Sequence, residues 1–279
     1  MATYQTYTAI GQREDLSDVI YNISPTDTPF MSSVGKTKAT AVYHEWQTDS
    51  LAAAQLNVAV EGATASDATM SPTSRVGNRC QISQKTIKIS NTLQAVDKAG
   101  RKSEKAYQLA KASAEIKRDM ELTCLSNQVA TNGNSTTARA LGGLQAWLST
   151  TYSGGTSGVA GSGGTTARTN GTNRTFIESM LQTAVKGVYT AGGNPKVLMV
   201  TPAGKQTVSG FAGIAAQRYM APSNAPTTII GAADVYLSDF GTLSVVPNRF
   251  MNSTNSKDIR TQTHREEASL ALLAGAQNY

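Results

Sequence analysis

Residues 97–128 read DKAGRKSEKAYQLAKASAEIKRDMELTCLSNQ, and this stretch decides how the rest of the chain is organised. It contains no proline and a single glycine near its start, and it is rich in strong helix formers. One apolar face is predicted by residues that recur at steps of three and four: Leu109, Ala112, Ile116, Met120 and Thr123. Carboxylates such as Glu115, Asp119 and Glu121 are expected on the charged, solvated side. At about 1.5 Å per residue, this helix would reach roughly 45 Å.

Composition narrows the class of protein. The chain has 279 residues, of which 39% are hydrophobic and only 6% aromatic, which is lean for a compact enzyme. Its 25 basic and 19 acidic residues give 25 − 19 = +6. That balance is compatible with contact to nucleic acid, but the basic residues are scattered, so a soluble protein with a mild basic bias explains it as well.

Cysteine usage and the absence of targeting signals predict a reducing, aqueous compartment. Cys80 and Cys124 lie far apart and form no CxxC, so neither a disulfide framework nor a zinc site is expected. The N-terminus lacks the basic start and apolar core of a secretory signal. No apolar run is long enough to span a bilayer, and no membrane association is expected.

The first 40 residues favour an arm over a self-contained fold. Residues 14–22 could form a short helix or turn with Leu16, Val19 and Ile20 on one side. Pro25 and Pro29 then bias the chain to extended or turn geometry, with Phe30 as an apolar anchor. An arm that docks on another subunit and a lead-in that packs on its own domain both fit this pattern.

Residues 39–90 predict a projecting hairpin. Residues 40–47, which include Tyr43 and Trp46, alternate polar and apolar side chains as a strand does, and residues 79–90 alternate in the same way. About thirty polar, small residues between the two runs are too many for a compact hairpin loop, so they are expected to form a flap ordered by a neighbour.

The second half of the chain predicts a compact layer of helices and strands. Residues 152–171 have the composition of a mobile Gly/Ser/Thr loop. An amphipathic helix is expected over 174–189, capped by Thr172 or Asn173. A buried strand at 197–200, a helix from Thr201 through Phe211, and strands at 235–237 and 243–246 follow, an order typical of an α+β or α/β layer.

Motifs that carry chemistry are missing. Gly35-Lys36-Thr37 resembles the end of a phosphate-binding loop, but that motif requires glycine where the chain has Phe30. No GxSxG nucleophile elbow occurs, and His44 and His264 are the only histidines. Neither an enzyme nor a cofactor is therefore expected.

Six segments carry a resemblance to a known family. LSDVIYNISPTDTPFMSSVGK at 16–36 and AVYHEWQTDSLAAAQ at 41–55 resemble the arm and loop base of major capsid proteins of tailed double-stranded DNA bacteriophages with the Hong Kong 97-like fold. RKSEKAYQLAKASAEIKRDME at 101–121 looks like the spine helix of that family. Three segments resemble its axial domain: the helix at 174–189, the strand KVLMV at 196–200, and DVYLSDFGTLSVVPNRFM at 234–251.

The resemblance implies an α+β Hong Kong 97-like capsid fold in five parts. These are an N-terminal arm (1–40), an extended loop (41–92), a spine helix of the peripheral domain (93–130), an axial domain (131–245), and a return to the peripheral domain (246–279). The C-terminus departs from the family, since few residues follow NRFM; a shortened last strand, or residues 270–273 supplying it, are the two options.

The implied function is self-assembly into hexamers and pentamers that form an icosahedral shell around double-stranded DNA, contacted non-specifically. The protein would belong to the virion, assemble in the host cytoplasm, and have portal, scaffold and decoration proteins as further partners. Candidate contacts between subunits lie in the arm and at the hairpin base: Leu16, Val19, Ile20, Pro25, Pro29, Phe30, Tyr43 and Trp46.

Three alternatives stay open. An encapsulin-like shell shares the implied fold but encloses cargo enzymes. A phage tail or decoration protein would have no long spine helix. An enzyme would need a convergent polar pocket that no motif indicates.

Overall fold

In the computed structural model, residues 24–64, 67–149, 152–211 and 234–251 are described in full, and residues 271–274 by their backbone. These residues fall into two units. Unit 1 contains 83–119 together with the segment before Thr28, and unit 2 contains 28–82 and the described residues from Met120 onward. No helix in the described part of the chain is both long and apolar enough to cross a lipid bilayer.

The long helix exists but is shorter than its sequence predicts. Helix α3 spans Glu104–Leu125, 22 residues, because Gly100 adopts a φ of +75° and Ser103 caps the first turn, its Oγ accepting from the Ala106 amide at 3.3 Å. At the C-terminal end, the Ser126 amide bonds to the Thr123 carbonyl at 3.2 Å. The boundary between the two units falls inside α3, after Asp119.

Two residues of α3 lie on the opposite kind of surface from the one their sequence pattern predicts. Glu121 is fully buried, although its charge predicted a solvated position, and Leu109 remains 57% exposed, although its spacing predicted burial. Glu115 and Asp119 do lie on a charged face, where both are 3.4 Å from the ammonium of Lys85. These two carboxylates raise the pKa of Lys85, Asp119 more than Glu115.

Unit 2 is built on a four-stranded sheet of order β4-β5-β3-β6. Only β3 and β5 run parallel; the other pairs are antiparallel. The bounds are β3 Pro195–Val200, β4 Val235–Ser238, β5 Gly241–Pro247 and β6 Ala271–Ala274. The positions of β3, β4 and β5 agree with the sequence. β6 overlaps residues 270–273, one of the two options for the last strand, and it forms the edge of this sheet beside β3.

Helices α5 (Glu178–Thr190) and α6 (Pro202–Ser209) supply the core of this unit together with the sheet. The buried cluster joins one face of α5 to the inward residues of the strands and α6: Phe176, Leu181, Val185, Leu198, Val200, Val208, Phe211, Tyr236, Leu243 and Val245. Thr201 caps α6 as the Thr-Pro pair predicts, its Oγ1 accepting from the Gly204 amide at 3.1 Å. α5 begins later than predicted, with Ile177 as N-cap, because Thr172 is bonded to the Thr156 carbonyl instead.

The buried hydroxyl of Tyr236 gives a pH-dependent prediction. It donates to Glu178 Oε1 at 3.0 Å, and burial, followed by this contact, raises the pKa of Tyr236 above its ordinary 10.0. Because the folded state favours the neutral phenol, this group stabilises the fold fully below pH 10, and its contribution falls as the pH rises through the folded pKa.

We therefore expect Tyr236→Phe to lower the free energy of unfolding by about 1.5–3 kcal/mol at pH 7, the value of one hydrogen bond to a charged acceptor. The difference between wild type and variant should shrink at pH above 10. Urea unfolding of both proteins at pH 7 and at pH 11 measures this. A difference that stays constant would show that Tyr236 does not titrate with folding.

The hairpin forms, but its return strand comes earlier than predicted. Strand β1 spans Tyr43–Thr48 and pairs antiparallel with β2, Ser74–Arg79, with Tyr43 opposite Arg79. Residues beyond Arg79 would have to pair with residues before Tyr43, and there only the Cys80 amide reaches the Val42 carbonyl, at 2.9 Å. The alternating run at 80–90 is consequently not a strand, and Ile82 is 75% exposed.

Three short helices complete the described elements: α1 Pro29–Ser33, α2 Asn91–Ala95 and α4 Leu144–Trp147. α2 was not predicted; its cap is Ser90, whose Oγ accepts from the Leu93 amide at 3.2 Å. The Gly-rich segment 152–171 was expected to be a loop, and it has a defined course, with backbone bridges joining Val159 to Thr169 and Ser162 to Thr166.

Candidate functional site

The segment 28–33, which the sequence predicts to be part of an N-terminal arm and which we call the arm root, contains a one-turn helix whose backbone donors need partners. α1 starts with proline, which has no N–H and suits the first helical position. The side chain of Thr28, the residue before it, makes no capping hydrogen bond. The amides of Phe30 and Met31 would therefore be unsatisfied in the first turn unless another group accepted from them.

Glu121 of α3 accepts from both amides. Its Oε1 lies 2.8 Å from the Phe30 nitrogen, and its Oε2 lies 2.8 Å from the Met31 nitrogen. Asn248 donates from Nδ2 to Oε1 at 2.6 Å. Both side chains are completely buried. A buried carboxylate is stable only when its oxygens are hydrogen-bonded, and here three donors supply that.

We call this group the arm anchor: Glu121, Asn248 and the amides of Phe30 and Met31. Asn248 is fixed in turn, because its own amide donates to the Val200 carbonyl at 2.8 Å and its Oδ1 accepts from the Phe250 amide at 2.8 Å. The arm anchor thus joins the arm root, the end of α3, the end of β3 and the turn after β5, all within unit 2.

An apolar cluster accompanies the arm anchor. Leu125, Met199 and Met251 are buried together, and Phe30 and Leu144 pack against them. Phe30 thus contributes its amide to Glu121 and its ring to this cluster. Cys124 lies nearby; burial raises the pKa of its thiol, and the Glu121 charge acts in the same direction. A thiol with a raised pKa is a poor nucleophile at neutral pH.

The hairpin base is held to the rest of its own chain by an aromatic stack and by two hydrogen bonds of the Asn78 side chain. The rings of Trp46 and Trp147 stack at 5.5 Å between centroids and 25° between planes. The Asn78 side chain donates to the Gly142 carbonyl at 3.0 Å and accepts from the Gly142 amide at 2.8 Å. In the cross-strand pair Tyr43–Arg79, at the end of β1 and β2, the Arg79 guanidinium lies 4.3 Å from the centroid of the Tyr43 ring.

We expect Trp46→Ala to lower the free energy of unfolding by about 1–2 kcal/mol, since the stack contributes beyond its buried area. Its near-ultraviolet circular dichroism should lose the contribution of the paired indoles. Trp46→Phe, which keeps a ring over Trp147, should retain most of the stability. Equal losses in the two variants would show that the stack does not hold the hairpin base.

Beyond the base, the hairpin carries apolar side chains that are largely exposed to solvent in the single chain. Residues 49–64 and 67–73 form no helix or strand, and every one of them is exposed. Several apolar side chains there have between 80% and 98% of their surface in solvent: Leu51, Leu56, Val58, Val60 and Met70. Leu56, Val58 and Val60 alternate with small or polar residues, the period of a strand with one apolar face.

The candidate contact residues fall into three groups. Leu16, Val19 and Ile20 lie outside the described residues. Pro25, Pro29 and Phe30 are partly buried in the arm and its root. Tyr43 and Trp46 lie in β1, where they contact Arg79 and Trp147 of the same chain.

The sequence did not predict the roles of Glu121 and Asn248 in the arm anchor. It also did not predict the exposed apolar row at residues 56–60, which we call the hairpin tip. The alternation at 56–60 was a readable signal for the tip. Glu121 offered only a weak one, namely its position four residues before the buried Leu125. In the part of the chain that the structure describes, no three His, Cys, Asp or Glu side chains are grouped so that they could hold a metal.

Comparison with known proteins gives two findings. The family model described as SU10 major capsid protein matches residues 2–264. The major capsid protein of Escherichia phage Phieco32 is 39% identical over 130 residues, which is 46% of this chain. That alignment covers 37% of the length of the phage protein, so the similarity reaches little more than a third of this relative.

Proposed function

Because the chain belongs to the family of SU10 major capsid proteins, we propose that it self-assembles into hexamers and pentamers that close an icosahedral shell around double-stranded DNA. The observation that carries this proposal is the combination of an anchored arm root with a hairpin tip whose apolar side chains are solvated in the single chain. Exposed apolar surface of this kind marks an interaction site.

The hairpin tip is the first proposed contact between subunits. Leu56, Val58 and Val60 present a strand-like apolar row, and a neighbouring subunit would cover it. Burying each such side chain contributes about 1.5–3 kcal/mol, and the contact repeats at every subunit of a closed shell. The base stays fixed on its own subunit through Trp46 and Asn78, so the tip projects from a fixed point.

The arm is the second proposed contact. Its root is held by Glu121, and we propose that the preceding residues lie along a neighbour, with Leu16, Val19 and Ile20 as the contact residues. Pro29 is the first residue of α1, and together with Pro25 it keeps the residues before α1 from extending this helix. Segments of this kind gain order when subunits assemble.

The finer fold proposal is the Hong Kong 97-like architecture with the five parts given above. It is supported by the order of elements: arm root, hairpin, a 22-residue helix, and a layer of helices on a mixed sheet. The net charge of +6 supports non-specific contact with packaged DNA. Portal, scaffold and decoration proteins are the other proposed partners, and the host cytoplasm is the proposed place of assembly.

The alternatives receive less support. An encapsulin-like shell or a tail or decoration protein would share parts of this description, but the family match is to major capsid proteins. Purified particles distinguish them by their contents, since nucleic acid is expected in a phage head and a cargo enzyme in an encapsulin-like shell.

Negative-stain electron microscopy of the chain expressed alone, and again with a scaffold protein if one is encoded beside it, tests the proposal. Regular icosahedral particles, or rings of five and six subunits, are expected. A protein that stays monomeric at high concentration under both conditions would contradict it.

Truncation of the arm gives a sharper result. Deleting residues 2–23 leaves the arm anchor intact, so we expect a folded subunit that no longer closes regular shells. Circular dichroism checks the fold and electron microscopy checks the assembly. Regular shells from the truncated chain would remove the arm from the assembly mechanism.

A further inference from the structure

The segment 83–119 of unit 1 carries most of the net charge of the chain. It contains nine basic and four acidic residues, a balance of 9 − 4 = +5, whereas the whole chain has +6. This excess lies in about one eighth of the sequence. Three of the four carboxylates in the segment already lie beside a cation of the same segment: Glu104, Glu115 and Asp119.

One ridge of α3 offers two lysines and no carboxylate. Lys105, Leu109, Ser113 and Lys117 follow one another at steps of four residues, the spacing of a ridge along a helix. All four residues are exposed, Leu109 to 57%. The ammonium groups of Lys105 and Lys117 form no ion pair within the part of the chain that the structure describes. We call these four residues the α3 ridge.

Further apolar side chains lie near the first turn of α3. Helix α2 is held there by Gln94, which accepts from the Lys105 amide at 3.2 Å and donates to Ser103 Oγ at 3.1 Å. Leu93 and Val96, close to Gln94 in the chain, are 45% and 56% exposed. A basic surface with exposed apolar side chains fits a segment that combines carboxylates with apolar residues.

The arm contains such a segment. Residues 14–20 read EDLSDVI, with three carboxylates, three apolar side chains and no basic residue. The sequence predicts a helix or turn here, which would place Leu16, Val19 and Ile20 on one side. The charge and the apolar content of this segment are therefore complementary to those of the α3 ridge.

The arm also has an observed contact with α3. Glu121 of this helix holds the arm root, and the segment before Thr28 belongs with 83–119 to unit 1. The ten residues from Ile20 to Phe30 can span about 33 Å when extended. The distance along α3 from Glu121 to Leu109 is only about 18 Å. The segment can therefore reach the α3 ridge of its own chain.

Two other occupants fit the α3 ridge less well. The hairpin combines exposed apolar side chains with carboxylates, but the observed contacts of its base are with Trp147 and Gly142 of unit 2, whereas the arm root contacts α3 itself. A nucleic-acid backbone would pair with the lysines, but it would leave the exposed Leu109 side chain without an apolar partner.

We propose that residues 14–20 of the arm pack on the α3 ridge of the same chain before subunits assemble. The apolar side of the segment covers Leu109, and its carboxylates lie beside Lys105 and Lys117. Because the proposed function places the same segment on a neighbouring subunit, assembly has to release it from the α3 ridge. That release rests on the proposed function, whereas the contact in the single subunit does not.

Zero-length cross-linking of the full chain tests the contact. A carbodiimide joins a carboxylate to an amine only where the two groups touch, and mass spectrometry identifies the joined peptides. In the monomeric subunit, peptides that contain residues 14–18 should be joined to Lys105 or Lys117, and not to Lys186 or Lys196, which are exposed lysines of unit 2. When isotope-labelled and unlabelled chains are mixed, both halves of each joined pair should carry the same label.

A matched pair of variants measures how strongly the arm is held. Leu109→Asp removes the apolar contact and places a carboxylate against the three carboxylates of the arm. Leu122→Asp makes the same change at a residue of α3 that is 47% exposed and lies thirteen positions further, on another side of the helix. Amides of residues 14–20 should exchange hydrogen about tenfold faster in Leu109→Asp, because apolar burial and ion pairs are both lost. They should exchange at the wild-type rate in Leu122→Asp, and circular dichroism checks that both variants are folded.

Four results would overturn the proposal. Equal exchange in Leu109→Asp and Leu122→Asp would show that the ridge does not hold the arm. Joined pairs of mixed label would assign the ridge to the arm of a second copy. Ridge lysines joined to Asp49, Glu61 or Asp67 would assign it to the hairpin. A Lys105-dependent affinity for a DNA duplex that leaves the exchange of the arm unchanged would assign it to nucleic acid. Electron microscopy of the wild type tests shell assembly separately, so failure of the arm contact and failure of the proposed function are distinguishable.

Discussion

Glu121→Ala is expected to lower the free energy of unfolding of the unassembled subunit by about 3–5 kcal/mol, because each buried donor left without an acceptor costs about 1–3 kcal/mol. The substitution leaves the amides of Phe30 and Met31 and the side chain of Asn248 without their acceptor. It also leaves a cavity at a completely buried position. Urea unfolding measures the loss, and hydrogen exchange should show the amides of Phe30 and Met31 exchanging faster.

Matched variants separate the arm anchor from a general effect of charge. Glu115→Gln changes the same residue type on the same helix, but Glu115 is partly exposed and paired with Lys85, so a change below about 1 kcal/mol is expected. Asn248→Ala removes one of the three donors, and its effect should not add to that of Glu121→Ala, because the two side chains are bonded to each other. Strict additivity, or a Glu121→Ala loss no larger than that of Glu115→Gln, would contradict the anchor.

The second large effect is expected in assembly and not in folding. Leu56→Asp combined with Val58→Asp should abolish regular shells and leave the subunit's unfolding midpoint unchanged. Both side chains are solvated in the single chain, 94% and 88% exposed, so nothing in the fold depends on them. In the proposed interface they would be buried, and a carboxylate there would be desolvated without a partner.

Asn57→Asp is the control for this experiment. It introduces one negative charge, half of what the double variant adds, between the two positions and removes no apolar surface, so it should still permit assembly, with at most a change in its dependence on salt. Regular shells from Leu56→Asp/Val58→Asp, compared by electron microscopy and sedimentation at equal concentration, would exclude the hairpin tip as a contact.

The elements that the sequence predicts well are those whose pattern is set by one periodicity. α5 shows a 3.6-residue apolar repeat, and β3 is a short apolar run followed by Thr-Pro; both were found within a few residues of their observed positions. The family resemblance, carried mainly by the arm segment, agrees with the family match.

The rest depended on partners that a single stretch of sequence does not reveal. The run at 80–90 alternates like a strand, but a strand also requires a neighbouring strand to pair with. The pairing between β1 and β2 ends at Tyr43 and Arg79. Glu121 was assigned to a solvated face because charge normally decides that on a helix. Here three donors from segments 90 or more positions away along the chain decide otherwise.

The arm anchor binds main-chain amides, and this has a consequence for how such a chain can change over generations. Glu121 accepts hydrogen bonds from the backbone at positions 30 and 31 and does not contact a particular side chain through them. Every residue except proline, which has no N–H, can supply these two hydrogen bonds. In the proposed shell, the residues that precede Phe30 can therefore change together with a neighbouring subunit while the arm root stays attached. Glu121 and Asn248 cannot be exchanged in this way, because they make these hydrogen bonds with their side chains.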